Sequence, residues 1–223
     1  MADILLLTHR VLSTSLLVSS IAIGSVLISH SESYAQTTAA AKRQAVSSSS
    51  QPYQSIRGVL KLPRTIETSP YGYAAFYFNL GEGCGAGVSY GKKGRKEGIW
   101  RSFMNCGQNT GSPGQELRNV TGGSLNIALQ TVGNTVRLVI NGNTVQTARV
   151  PINFRPRLVE MVHSYYDGGN IKSTSYEGAA FENVVCVPGC GTFDRAMITG
   201  DQRGLKIDFR SNNSLITNVT FQR

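Results

Sequence analysis

The sequence predicts an all-β protein, a two-sheet antiparallel β-sandwich of jelly-roll type with few or no helices. Three observations carry that expectation. Leu125, Ile127 and Leu129 alternate with Ser124, Asn126, Ala128 and Gln130, and Leu205, Ile207 and Phe209 alternate with Lys206, Asp208 and Arg210. This period of two puts one face of a strand in a core and the other in water. Asn141-Gly142 separates the apolar run Val136–Ile140 from Thr144-Val145-Gln146, and both residues tolerate the positive φ of a two-residue hairpin turn. Beyond Ile56, no stretch keeps a helical period for three turns, while Gly, Asn and Pro punctuate short apolar alternations.

The chain opens on a targeting segment. His9 and Arg10 precede an apolar stretch from Val11 to Ile28, and Ser33-Tyr34-Ala35 offers the small-x-small pattern of a signal-peptidase site. Residues 1–35 therefore read as a signal peptide, although Asp3 and Leu5-Leu6-Leu7 are unusual ahead of such a segment. A retained membrane anchor is the other reading, and Ser13, Thr14, Ser15, Ser19, Ser20 and Ser25 dilute the apolar run against it. Residues 36–55, poor in large apolar side chains and holding Ser47 to Ser50 in a row, read as a disordered linker. Residues 56–223 are the sandwich domain. Strands are expected at Val59–Leu62, Tyr73–Leu80, Ala86–Tyr90, Ile99–Met104, Leu158–Tyr165, Ala179–Cys186 and Ser214–Phe221. A three-strand meander is expected over Ser124–Val150, turning at Gly133-Asn134 and Asn141-Gly142.

Charge and cysteines describe the environment. The full chain has 22 Lys and Arg against 13 Asp and Glu, a formal charge of +9, and loss of Arg10, Asp3 and Glu32 with the leader makes it +10. A secreted chain this basic encounters anionic surfaces readily. Cys84, Cys106, Cys186 and Cys190 all lie in the expected mature part, where an even count reads as disulfides. Local pairing, Cys84 with Cys106 and Cys186 with Cys190, is favoured because both close short loops and Val187-Pro188-Gly189 bends readily. A four-thiolate zinc site fits the first spacing poorly.

Thr135 to Val145, TVRLVINGNTV, resembles the inner-sheet hairpin of concanavalin-A-like and laminin-G-like domains. The wider layout of YFNLG at Tyr77 to Gly81, the glycine-rich GCGAGVSYG and the strand holding Trp100 resembles YrpD-type secreted bacterial proteins. That resemblance implies export and a lectin-like sandwich.

Several motifs are candidates for chemistry. Gly87-Val88-Ser89-Tyr90-Gly91 matches a nucleophile elbow, but a charged turn follows it where a helix is required. His163 is the one histidine beyond the leader, and no aspartate lies between Ser89 and it. On its expected strand His163 shares a face with Val159, Met161 and Tyr165, an apolar row. As a general base it would have Glu160, Tyr165, Tyr166 and Asp167 nearby. Paired carboxylates two residues apart, the glucan-hydrolase pattern, are absent from the sequence. Glu116-Leu117-Arg118, His163 and Tyr176 resemble the arginine, histidine and tyrosine set of alginate-lyase sandwiches, which implies a polysaccharide-lyase reading, although in that family the histidine precedes the asparagine-glycine hairpin and here it follows it.

Lys92, Lys93, Arg95 and Lys96 crowd a glycine-flanked loop ahead of Trp100 and Arg101, an arrangement suited to an anionic sugar stacked on an indole. The interleaved aromatics of a single-strand nucleic-acid platform are missing. Asp167-Gly168-Gly169-Asn170 has only two oxygen side chains for calcium. The expected function is a secreted, lectin-like binder of an anionic polysaccharide or cell-wall polymer, through Lys92, Lys93, Arg95, Lys96, Trp100 and Arg101. It needs no cofactor or metal, binds no specific nucleic acid, and has no membrane association once the leader is removed. A jelly-roll polysaccharide lyase and a structural matrix or surface protein are the alternatives.

Overall fold

The computed structural model describes residues 40–46, 49–107, 109–110, 114–166, 174–193, 197–199, 205–211 and 214–219, with side chains over 49–107, 114–166 and 174–193. The expected leader and Asp167-Gly168-Gly169-Asn170 lie outside the described residues. Every described element is a strand. In chain order these are β1 (Ala40–Val46), β2 (Ser55–Lys61), β3 (Ile66–Glu67), β4 (Tyr73–Leu80), β5 (Cys84–Gly91), β6 (Ile99–Cys106), β7 (Asn109–Thr110) and β8 (Glu116–Leu117). They continue as β9 (Ser124–Val132), β10 (Thr135–Ile140), β11 (Asn143–Arg149), β12 (Val159–Tyr166), β13 (Ser175–Val187), β14 (Met197–Thr199), β15 (Leu205–Ser211) and β16 (Ser214–Val219).

Two antiparallel sheets form the sandwich. The first runs β14-β1-β12-β4-β5-β6-β7 with β8 on β6, and the second runs β11-β10-β9-β2-β13-β16-β15 with β3 on β13. β9 and β10 bury the face their alternation predicts. Leu125, Ile127 and Leu129 of β9 meet Val136, Leu138 and Ile140 of β10 in the core, and Asn141 and Gly142 take φ of 50° and 83° in the tight turn that follows. From the first sheet, Phe76 and Phe78 of β4 and Met161 of β12 pack inward, and Phe78 stacks on Phe181 of β13 at 4.5 Å. Full burial of each such side chain is worth about 1.5–3 kcal/mol. That inner layer, more than any turn, holds the two sheets face to face.

β1 falls inside the segment expected to be a linker, and its register with β12 runs from Ala40↔Tyr165 to Val46↔Val159. Composition argued that this segment has little apolar surface to bury, whereas a ladder is held by backbone groups that every residue carries. β13 is longer than expected and carries two register shifts, one beside Gly178 and one beside Asn183, both at positive φ. These bulges let a thirteen-residue strand bend.

The cysteines pair as Cys84–Cys106, with an S–S distance of 2.05 Å, and Cys186–Cys190, at 2.09 Å. The first joins direct register partners of β5 and β6. Disulfides of this kind belong to domains that fold in an oxidising compartment. No helix among the described residues is long and apolar enough to cross a membrane.

Candidate active site

The two central strands of the first sheet carry polar groups on the face turned away from the core. On β4, Ala74, Phe76, Phe78 and Leu80 point inward, so Tyr73, Ala75, Tyr77 and Asn79 lie on the other face. On β12, Glu160, Val162 and Ser164 are their register partners, with Glu160 opposite Asn79. Across β5 and β6 the same row continues through Gly85 to Asn105. Glu160, Asn79, Gly85 and Asn105 thus form one line across four strands.

Within that row, the Asn79 carboxamide donates from Nδ2 to Glu160 Oε2 at 2.5 Å. Glu160 is only 6% exposed, and a carboxylate so withdrawn from water requires a hydrogen-bonding partner. Gly85 completes the arrangement, because a Cβ at that position would fall on the Asn79 amide oxygen. A Cβ at Gly87 would likewise meet the Phe76 carbonyl and the Tyr77 backbone. Gly85, Gly87, Ser89 and Gly91 occupy alternate positions of β5, so this strand forms a low strip between taller side chains. Tyr77 and Phe103 meet edge to face across it, with ring centroids 5.3 Å apart.

A cleft of about 370 Å³ lies over the row, lined by Tyr73, Tyr77, Asn79, Phe103, Asn105 and Glu160 among others, with Glu82 at its rim. Tyr73 sits beside Tyr166, at 5.7 Å between rings. Burial first, and the neighbouring Tyr166 second, push the Tyr73 phenol above its ordinary value of 10.0. A second cleft of about 300 Å³ shares Tyr73, Ala75 and Phe103 with the first and extends it to Lys93 and Arg101. Together they make one groove running obliquely over the sheet. A buried carboxylate, an amide donor and room for an extended chain suit general acid–base attack on a polar carbonyl. Among the described residues no group of His, Cys, Asp and Glu gathers as a metal site.

The side chains singled out from sequence are scattered. Trp100 is buried, its Nε1 donating to Thr121 Oγ1 at 2.9 Å and its ring packed against Phe76 and Tyr90, so its faces are not open to a sugar. Alternation explains the error, because Trp100 falls on the core parity of β6 and Arg101 on the outer parity. Lys92 pairs with Glu67 at 3.4 Å, Arg95 and Lys96 are exposed on the β5–β6 turn, and Lys93 and Arg101 line the groove. His163 is buried in the core between Phe76 and Phe181, at 5.0 and 5.1 Å. Tyr176 is buried edge to face against Phe76, with ring centroids 5.1 Å apart. Arg118 is exposed and bonded to Glu116 at 3.3 Å. The lyase set therefore does not converge in one cleft.

Sequence reasoning treated Glu160 only as a neighbour of His163 and passed over Asn79. The available signal was a single acid inside the apolar run Val159-Glu160-Met161-Val162-His163, and a single amide inside Phe76-Tyr77-Phe78-Asn79-Leu80.

No family model and no curated protein matches the chain. Solved structures do share its fold. Scytalido-glutamic peptidase bound to a peptide-based transition-state analogue aligns with a TM-score of 0.52 at 9% identity, covering 82% of this chain and 99% of that one. A further structure of that peptidase with a transition-state analogue inhibitor gives 0.51 at 8% identity over the same shares. SCP-B, a member of the eqolisin family of peptidases in complex with the tripeptide Ala-Ile-His, gives 0.50 at 9% identity, again over 82% and 99%. These likenesses replace the resemblance to concanavalin-like, laminin-G-like and YrpD-type proteins, and turn the functional reading away from a polysaccharide lectin, a lyase or a matrix protein. The hairpin that suggested those families reflects a two-residue turn between alternating strands, which any β-meander presents.

Proposed function

We propose that the chain is an exported peptide-bond hydrolase whose catalytic group is the Glu160 carboxylate, with Asn79 as its amide partner. The observation that carries this reading is the Asn79–Glu160 hydrogen bond at the base of an open groove. The solved structures similar in fold, glutamic peptidases by name, support it. The signal-peptide reading of residues 1–35 and the two disulfides support export.

The chemistry follows from the two groups. Glu160 takes a proton from a water whose oxygen bonds to the peptide carbonyl carbon, and the carbonyl π electrons move to its oxygen. A carboxamide has two N–H donors, one of which Asn79 spends on Glu160. The other meets the developing oxyanion. When the carbonyl re-forms, the C–N bond breaks and the proton held by Glu160 passes to the departing nitrogen. Glu160 is again a carboxylate, and one water has been consumed for one amide cleaved.

The disulfide-bonded chain, incubated with a mixed peptide pool from acidic to neutral pH, is expected to generate new termini by mass spectrometry, and Glu160→Gln to generate none. Intact peptides throughout would overturn the reading. Cleavage that persists in Glu160→Gln would place the chemistry elsewhere.

A further inference from the structure

We propose that Arg101, at the far end of the groove from Glu160, is a carboxylate-binding subsite that anchors the peptide several residues from the bond to be cleaved. The proposal rests on the peptidase reading and adds to it the polarity of the substrate. The Arg101 end of the groove has apolar walls, Tyr71, Tyr73, Ile99 and Phe103, and two cations, Lys93 and Arg101. Among the described residues no acidic side chain lines it. The opposite end carries Glu82 and Glu160. One groove is therefore negative at one end and positive at the other.

Arg101 is held for a ligand rather than for a partner within the fold. The side chain lines the cleft, and its buried Nε has no hydrogen-bond partner among the described residues, so no donor of this guanidinium is spent on a described partner within the fold. The nearest acid by register is Glu116, opposite Arg101 in the β6–β8 ladder. That carboxylate turns to Arg118 instead, at 3.3 Å. Arg101 takes part in no ion pair among the described residues. A guanidinium presents a planar fork of donors that fits a carboxylate with two parallel bonds.

Register gives the spacing. Arg101 pairs with Ser89, and Ser89 with Ala75, four residues along β4 from Asn79 and two strands across from it. At about 3.4 Å per residue and about 4.8 Å between strands, the two positions are ~17 Å apart, which an extended peptide crosses in about five residues. The carboxylate is either the C-terminus of the peptide or a Glu or Asp side chain at that remove.

The test measures binding, so that it does not depend on turnover. Fluorescein-labelled decapeptides of one apolar sequence are prepared with a free C-terminal carboxylate, with a C-terminal amide, and with a C-terminal amide plus one Glu in the sixth position. Each is titrated by anisotropy into the disulfide-bonded Glu160→Gln chain. A carboxylate is expected to tighten binding ten- to hundredfold over the neutral amide, about the value of a hydrogen bond to a charged group. The free-acid and internal-Glu arms show which carboxylate is read.

Adding Arg101→Gln should erase that preference, and Arg101→Lys should recover part of it. Equal affinity for all three peptides, or a preference that survives Arg101→Gln, would overturn the proposal. Should Arg101→Gln fail to fold, the acid-against-amide comparison on the parent chain, with Arg101→Lys beside it, still decides. A carboxylate preference without cleavage of any peptide by the parent chain would overturn the peptidase reading and keep the subsite. Absence of binding by every peptide would overturn both.

Discussion

Asn79 and Glu160 face each other directly across the β4–β12 ladder, 81 residues apart in sequence, and the amide of one donates to the carboxylate of the other at 2.5 Å. Backbone pairing of two central strands, rather than a loop, sets this contact. Such a platform holds reacting groups with little freedom to drift.

The amide is separable from the acid. Asn79→Ala should lower kcat for peptide cleavage by about 10²–10³, the usual loss on removing one oxyanion donor. Its KM should move much less. Steady-state kinetics on one reporter peptide checks this, and a pure KM effect would make Asn79 a binding group only.

Gly85 and Gly87 should separate catalysis from stability. The Cβ of Gly85→Ala meets a side-chain amide, so the strand can stay in place while Asn79 turns. The Cβ of Gly87→Ala meets backbone, which moves only with its sheet. The expected result is a slow but stable Gly85→Ala chain and a Gly87→Ala chain destabilised by about 1–3 kcal/mol, as for overpacking. Paired urea melts and activity assays measure both.

The β5–β6 crosslink closes a loop with a sequence separation of 22. Cys106→Ser should lower stability by about 2–4 kcal/mol through release of the unfolded chain. Peptide mapping without reductant should recover Cys84 joined to Cys106 in the parent.

Trp100 and the basic turn should behave oppositely. Trp100→Ala, which empties a core position beside Phe76, is expected to cost about 3–5 kcal/mol. Substitution of Arg95 and Lys96 by Ser on the exposed turn should change stability by less than about 0.5 kcal/mol. Thermal melts of the variants decide it.

Tyr73 gives a pH dependence with a definite sign. Its phenol is raised above 10.0 in the folded state, so folding favours the protonated form. The stability it contributes is complete below pH 10 and is lost as pH rises through the folded value. Absorbance titration should lose a late-ionising component in Tyr73→Phe, and that variant should lose less stability between neutral and alkaline pH.

Most of the sandwich was legible in local pattern. The alternations around Leu125 and Leu205, the Asn141-Gly142 turn and the two short cysteine loops all concern residues near one another in the chain. Strand period, positive φ and loop length are local physics, and the structure agrees with them at Leu125, Ile127 and Leu129, at Asn141-Gly142 and at both cysteine pairs, while Leu205–Ser211 is described as a strand only. The strand at Ala40–Val46 escaped because backbone pairing has no compositional mark.

What the tertiary structure alone decided is which strands lie side by side. Glu160 and Asn79 become partners only because β12 pairs with β4, and Arg101 enters their groove only because β5 presents glycines between β4 and β6. Nothing in one strand's sequence states its neighbour, since ladder hydrogen bonds join backbone groups common to every residue. Parity along β6 could have separated buried Trp100 from groove-lining Arg101, which the sequence reading instead placed in one site. The register between strands turned a single acid and a single amide into a site.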